Sequence, residues 1–219
     1  MIYLDSASIE EYRNLKPLNI IRGVTMNPKI LAKYGIIDYV STIKEFDKEL
    51  DGPINIQVFS KKHDEIVSDA IKLSSISKKV VVKIPATFEG FKALETIKTK
   101  YPAIKTNVTI GYSTFQMYFG VLKNSEYVSV FYNRIKDMGG DPIKVINTTK
   151  KLIEKMNAKT KIIVGSIRTT RDIEDILQTG ADIITIPYSI LKKLVNNKYA
   201  SDTVDEFLSA WEELKSNKF

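Results

Sequence analysis

Cysteine is absent from the 219 residues, and histidine occurs once, at His63. Zinc fingers, iron–sulfur clusters and three-His catalytic zinc sites all need ligands this chain does not have. Only carboxylates remain as metal ligands, so neither a metal nor another cofactor is expected. The same lack excludes a disulfide scaffold and a cysteine nucleophile, and it fits a reducing compartment. No apolar stretch approaches the roughly 18–20 residues of a membrane span. The first basic residue is Arg13, so the start does not read as a signal peptide. The expectation is a mature cytoplasmic protein without a membrane partner. Neither G-x-G-x-x-G nor G-x-x-x-x-G-K-[ST] occurs, which removes the best support for a dinucleotide or P-loop site.

What is present suits one globular domain over residues 1–219, with 43% apolar and 27% charged residues. The net charge is +7, and lysine supplies nearly all the basic side chains. Arg13, Arg22, Arg134, Arg168 and Arg171 are the only arginines. Lysines dispersed along helical faces, such as Lys61, Lys72, Lys92, Lys144 and Lys150, read as a solvated surface. No nucleic-acid-binding signature accompanies them, so no nucleic-acid partner is expected.

Eight short β-branched runs alternate with helical patterns: Ile2–Leu4, Gly23–Thr25, Ile54–Val58, Val80–Ile84, Lys105–Thr109, Tyr127–Phe131, Lys161–Val164 and Ile183–Ile186. Their spacing of roughly 20 to 35 residues is what a strand, a crossover helix and two loops consume, so the strands are parallel. Apolar positions between them recur at helical spacing, as in Ile66, Ala70, Leu73 and Ile76, or Ile173, Ile176 and Leu177. Glycine and proline fall at the junctions. The pattern predicts an α/β fold, a single compact (β/α)8 TIM barrel, over the alternative of a doubly wound open sheet.

Beyond the eighth run the pattern predicts a helix from about Tyr188 and an extra amphipathic one over about 202–215. Val204, Phe207, Leu208, Trp211 and Leu214 form its stripe. Two destinations are open: the barrel's own surface, slightly favoured, or a neighbouring subunit.

In such a barrel, catalytic groups stand at the C-terminal ends of the strands. The polar residues there are Asp5, Thr25, Asn27, Gln57, Lys83, Asn107, Thr109, Ser129, Asn133, Arg134, Ser166, Arg168 and Thr185. Lys83 is the most informative, because Val80-Val81-Val82-Lys83-Ile84-Pro85 otherwise suits a fully buried strand. Burial disfavours the ammonium and supplies the free amine that attacks a carbonyl. The competing reading is a rim lysine whose stem lines the barrel while its head reaches water. The hydroxyl, amide and carboxylate groups around it favour iminium chemistry, which needs several proton transfers. Arg134, Ser166 and Arg168 follow strands six and seven and suit a phosphate clamp, against the alternative of surface salt bridges. His63 reads as exposed and without a role.

Tyr3-Leu4-Asp5, Gly23-Val24-Thr25-Met26-Asn27-Pro28, Val81-Val82-Lys83-Ile84-Pro85-Ala86-Thr87, Asn107-Val108-Thr109 and Asn133-Arg134-Ile135 together resemble the small transaldolase and fructose-6-phosphate aldolase family, in order and over nearly the whole length. The resemblance implies a metal-free barrel that works on sugar phosphates through a Schiff base on Lys83. Asp5 matches the acid–base carboxylate, and Gln57 and Thr109 match the pair that positions the catalytic water. Asn27 matches the amide that holds the dihydroxyacetone portion, and Ser129 contacts the bound triose. Thr25, Asn107 and Phe131 complete the expected substrate contacts, with Arg134, Ser166 and Arg168 on the phosphate. A homo-oligomer, a decamer held partly by the C-terminal helix, is implied as well.

Two positions point opposite ways within that family. Gln57 is as in the aldolase branch, where transaldolases have Glu, and an amide orients water but carries no proton. Phe131 is as in transaldolases, where the aldolase branch has Tyr. With Phe131 and Ser129 the expectation is a transaldolase moving dihydroxyacetone from fructose 6-phosphate or sedoheptulose 7-phosphate to an aldose phosphate. The alternative is an aldolase releasing dihydroxyacetone and glyceraldehyde 3-phosphate. Tyr132 is not expected to replace the missing phenol, since neighbouring strand residues face opposite sides. Met26 departs from the family's small polar residue and puts a substrate contact there in question. A non-catalytic basic module that captures sugar phosphates or nucleic acid is the reading from a different class.

Overall fold

A computed structural model describes residues 1–216. Eight strands close into a barrel in sequence order: β1 (Ile2–Asp5), β2 (Ile21–Met26), β3 (Ile54–Gln57), β4 (Val80–Pro85), β5 (Thr106–Gly111), β6 (Tyr127–Phe131), β7 (Lys161–Gly165) and β8 (Ile183–Ile186). Every neighbouring pair is parallel, including the closing pair β1 and β8. The expected (β/α)8 barrel is therefore the fold. Strand ends differ from the expected runs by a residue or two: β2 begins at Ile21 and β3 stops at Gln57.

Strand alternation sorts the side chains into two cores. Leu4, Val24, Met26, Ile56, Val82 and Val108 share the large cluster with helix residues such as Phe46, Ile66, Leu73 and Ile97. Each such aliphatic side chain contributes about 1.5–3 kcal/mol on full burial. Tyr3, Ile163 and Ile183 form a separate cluster, with Tyr127 packed against it. The Tyr3 and Tyr127 rings meet edge-on at 6.4 Å. A Cβ at Gly23 would sit 2.8 Å from the Tyr3 ring, so only glycine leaves room for this aromatic floor.

Short polar residues at the strand exits start the following helices. Asn27 Oδ1 accepts from Ile30 N–H, Thr87 caps the helix Phe88–Lys100, and Ser113 and Thr169 each form a capping box. Near the end of β5, Val108 faces Val128 while Gly111 faces Val130, which is a bulge. Within it, Ile110 has φ +62°, a left-handed conformation rare for a β-branched residue.

Three expectations are corrected. The last helix spans Lys198–Ser216, and its stripe of Val204, Phe207, Leu208, Trp211 and Leu214 is 50–67% exposed, so it does not cover its own barrel. Leu177 is exposed although Ile173 and Ile176 are buried, because the helix Thr170–Leu177 ends there. His63 is only partly exposed, with Nδ1 2.7 Å from Asp64 and Nε2 2.8 Å from Thr96. No helix among the described residues is long and apolar enough to cross a membrane.

Candidate active site

One inward position above the aromatic floor, the side chains turn polar. Asp5, Thr25, Gln57, Lys83, Thr109, Ser129, Phe131 and Thr185 line a cavity of about 540 Å³ at the C-terminal mouth of the barrel, with Asn27, Arg134, Gly165 and Ser166 at its rim. A cavity of about 610 Å³ lies at the opposite end, around Glu126, Tyr127 and Lys161, and contains none of these groups.

Lys83 is 4% exposed, and its Nζ donates to the Met26 carbonyl at 3.2 Å. Burial pushes its pKa down to about 8, with the Asp5 carboxylate pulling the other way. Burial likewise pushes the Asp5 carboxyl above the ordinary range, against Lys83, the Thr25 hydroxyl and Lys33. The pair sets an amine that loses its proton at far lower pH than an ordinary lysine beside a carboxylate that holds one more readily. Thr25 Oγ1 donates to Asp5 Oδ1 at 2.6 Å and lies 2.5 Å from Thr185 Oγ1.

Across the cavity, Thr109 Oγ1 is buried without a hydrogen-bond partner, and Gln57 stands on the same wall. A hydroxyl left open at a polar cavity is available to a substrate group or a water. Ser129 donates to Asn107 Oδ1 at 2.8 Å, and Asn107 Nδ2 donates to Asn55 Oδ1 at 3.0 Å. Asn107 is fully buried and does not line the cavity, so it sits beneath the expected substrate contact.

At the rim, the Arg134 guanidinium lies 5.0 Å over the Phe131 ring and donates to Tyr112 Oη at 3.3 Å. Phe131 thus serves as a shelf for Arg134. Ser166, at φ +63°, belongs to the same edge. Arg168 does not: it is paired with Asp137, one contact being 2.7 Å, outside the cavity lining. Of the expected phosphate clamp, the structure brings together Arg134 and Ser166 and leaves Arg168 in a salt bridge.

Met26 is corrected also. Its side chain is fully buried in the outer core between the inward-facing Thr25 and Asn27, so it contacts no cavity space. Only its carbonyl reaches Lys83. Tyr132 is buried on the far side and donates to Asp175 at 3.4 Å, in keeping with its expected orientation.

Two supporting residues, Asn55 and Asp172, were not singled out from sequence, and Thr185, which was, has a partner that sequence did not indicate. Thr185 touches Thr25, and Asn55 supports Asn107. Asp172 accepts from the backbone N–H groups of Arg168 and Thr169, both at 2.9 Å, and from Asn133 Nδ2 at 2.6 Å, anchoring the loop after Ser166. The inward parity of Thr185 and Asn55 was readable, but their partners were not.

Residues 2–219 match the transaldolase/fructose-6-phosphate aldolase family. The chain belongs to that family. It is 35% identical over 214 residues to a probable transaldolase of Carboxydothermus hydrogenoformans, covering 98% of this chain and 99% of the relative. Probable transaldolases of Methanococcus maripaludis and Clostridioides difficile are 35% and 34% identical, each covering 96% of both chains. Membership in the transaldolase/fructose-6-phosphate aldolase family makes the chain an enzyme of aldol chemistry.

Proposed function

We propose that the protein is a transaldolase that carries dihydroxyacetone on Lys83. The observation that supports this most is a buried amine with a pKa near 8, facing a polar cavity beside Asp5. The free amine attacks C2 of fructose 6-phosphate or sedoheptulose 7-phosphate, and loss of water gives an iminium ion. The Asp5 carboxylate takes the C4 hydroxyl proton as the C3–C4 bond breaks, and its raised pKa suits it to hold that proton. The electron pair of that bond moves into the iminium, leaving an enamine on Lys83 and releasing the shorter aldose phosphate. The enamine then attacks the aldehyde carbon of an aldose phosphate acceptor, and hydrolysis frees the new ketose.

Gln57 and the open Thr109 hydroxyl hold the water that is lost and regained. Arg134 and Ser166 take the substrate phosphate. Phe131 favours transfer, since a phenyl ring at the cavity wall offers no proton to quench the enamine. The second reading, fructose-6-phosphate aldolase, rests on Gln57, which that branch shares. The bare stripe of the C-terminal helix supports a homo-oligomer, because so many exposed large apolar residues on one face suit burial against another copy.

Borohydride reduction in the presence of fructose 6-phosphate tests the mechanism. The expected product is one triose unit on Lys83, lost in Lys83→Met. An unmodified Lys83 in folded, substrate-saturated protein overturns the proposal. Assays of free dihydroxyacetone with and without erythrose 4-phosphate then separate transfer from release.

A further inference from the structure

Asn55 and Asn107 are fully buried polar residues inside the barrel, one inward position below Gln57 and Thr109. Asn55 is on β3 and Asn107 on β5, so the two amides bridge alternate strands of one interior layer. Their neighbours in that interior include Val81, which faces Asn55 across the β3–β4 pair. An apolar pair would satisfy such a layer, and the asparagines are not fully satisfied: Asn55 Nδ2 has no hydrogen-bond partner. A buried amide proton left unmatched is a standing penalty. The arrangement therefore asks for a function that hydrophobic residues would not perform.

The hydrogen bonds have a direction. Asn55 Oδ1 accepts from Asn107 Nδ2, which turns Asn107 Oδ1 towards β6, where it accepts from the Ser129 hydroxyl. Ser129 has one proton and gives it downwards. Its oxygen, at the cavity wall, is left with lone pairs only. We propose that Asn55 is a positioning residue that acts through Asn107 to fix Ser129 as a hydrogen-bond acceptor for a hydroxyl of the bound triose. This rests on the Schiff-base reading above, in which Ser129 faces the triose portion held on Lys83. The hydroxyl concerned is the one on the carbon that does not react, C1 of the ketose, because the other terminal carbon of the triose carries the bond being broken.

Comparison of kcat/KM for fructose 6-phosphate and its 1-deoxy analogue tests the proposal, since the analogue lacks only that hydroxyl. Asn55→Leu removes the acceptor for Asn107 at similar volume. The preference for the hydroxylated substrate is expected to shrink about tenfold, the worth of one well-aligned hydrogen bond. Ser129→Ala shrinks it equally, and the double variant no further, because both changes break one chain. Asn55→Asp keeps an oxygen for Asn107 and restores the preference. Should Asn55→Leu fold poorly, Asn55→Ala gives the same comparison with less crowding. Equal losses on both substrates, or full additivity with Ser129→Ala, overturn the proposal as a merely structural effect. Borohydride trapping on the wild-type protein keeps the two readings apart: trapping without a shift in preference sinks the role of Asn55 alone, and absent trapping sinks the Schiff base beneath it.

Discussion

The Thr185 hydroxyl donates to the Thr25 hydroxyl: the two oxygens are 2.5 Å apart, and Thr25 has already given its only proton to Asp5 Oδ1 at 2.6 Å. A three-member chain from β8 through β2 to β1 thus stabilises the ionised form of the carboxylate from one side. Thr185→Val breaks its first link. Asp5, already pushed up by burial, is expected to hold its proton to higher pH, and activity at neutral pH to fall about tenfold. Thr185→Ser restores both. A pH–rate profile of the three proteins checks this, and unchanged limbs in the Val variant would contradict it.

Lys83 sets a second pH dependence. Because its pKa is about 8, kcat/KM rises with pH through that value as the amine becomes free. Asp5 holds the ammonium up, so Asp5→Asn moves the titration of Lys83 to lower pH while removing the base. Reductive trapping with a small ketone across pH reads this without needing turnover.

Stability follows from the same group. The unfolded chain keeps the ordinary lysine value of 10.5, so at pH 7 both states are protonated and only the native state bears the desolvated ammonium. Stability is gained as pH rises from about 8 to 10.5 and is absent below. Lys83→Met alone leaves the buried Asp5 carboxylate without its counter-charge, so it is the Lys83→Met, Asp5→Asn double variant, which removes both charges, that is expected to be more stable at pH 7, by about 1–3 kcal/mol, read as a higher urea midpoint. A lower midpoint would show the ammonium to be well solvated.

Phe131 is the position expected to separate transfer from release. Phe131→Tyr places a phenol at the cavity wall while keeping the ring under Arg134. The ratio of free dihydroxyacetone to transferred triose is expected to rise severalfold, with the KM for sugar phosphate little changed. An unaltered ratio would mean that enamine protonation is controlled elsewhere.

Ile110 gives a test of strain. Its left-handed backbone costs about 1–2 kcal/mol, which glycine removes. Ile110→Gly is therefore expected to destabilise by less than about 1 kcal/mol, whereas Ile84→Gly, fully buried in a regular strand, loses several. The loosened bulge lets neighbouring Thr109 drift, and kcat falls about tenfold. Thermal unfolding and kinetics on the two variants decide it.

The alternation of β-branched runs carried the barrel, and the polar residues at strand exits carried most of the cavity, because both follow from local periodicity. Parity also contained the answer for Met26: between inward Thr25 and Asn27 it must face outward, whatever the family prefers there. What local pattern does not encode is pairing across the fold. Arg168 finds Asp137, His63 finds Thr96, and Asn107 finds both Asn55 and Ser129. The C-terminal stripe announced an apolar contact but not its address, since an amphipathic helix states only that one face is to be covered.

The apolar layer of Tyr3, Ile163 and Ile183, with Tyr127 packed against it, lies below the pocket around Lys83, so among the described residues the pocket opens at the C-terminal mouth of the cylinder. Whatever leaves after cleavage must go out by the route the next molecule comes in. With the triose held covalently on Lys83 as proposed, the first aldose phosphate leaves before the acceptor takes its place, and a two-substrate rate study should give the parallel double-reciprocal lines of a ping-pong enzyme.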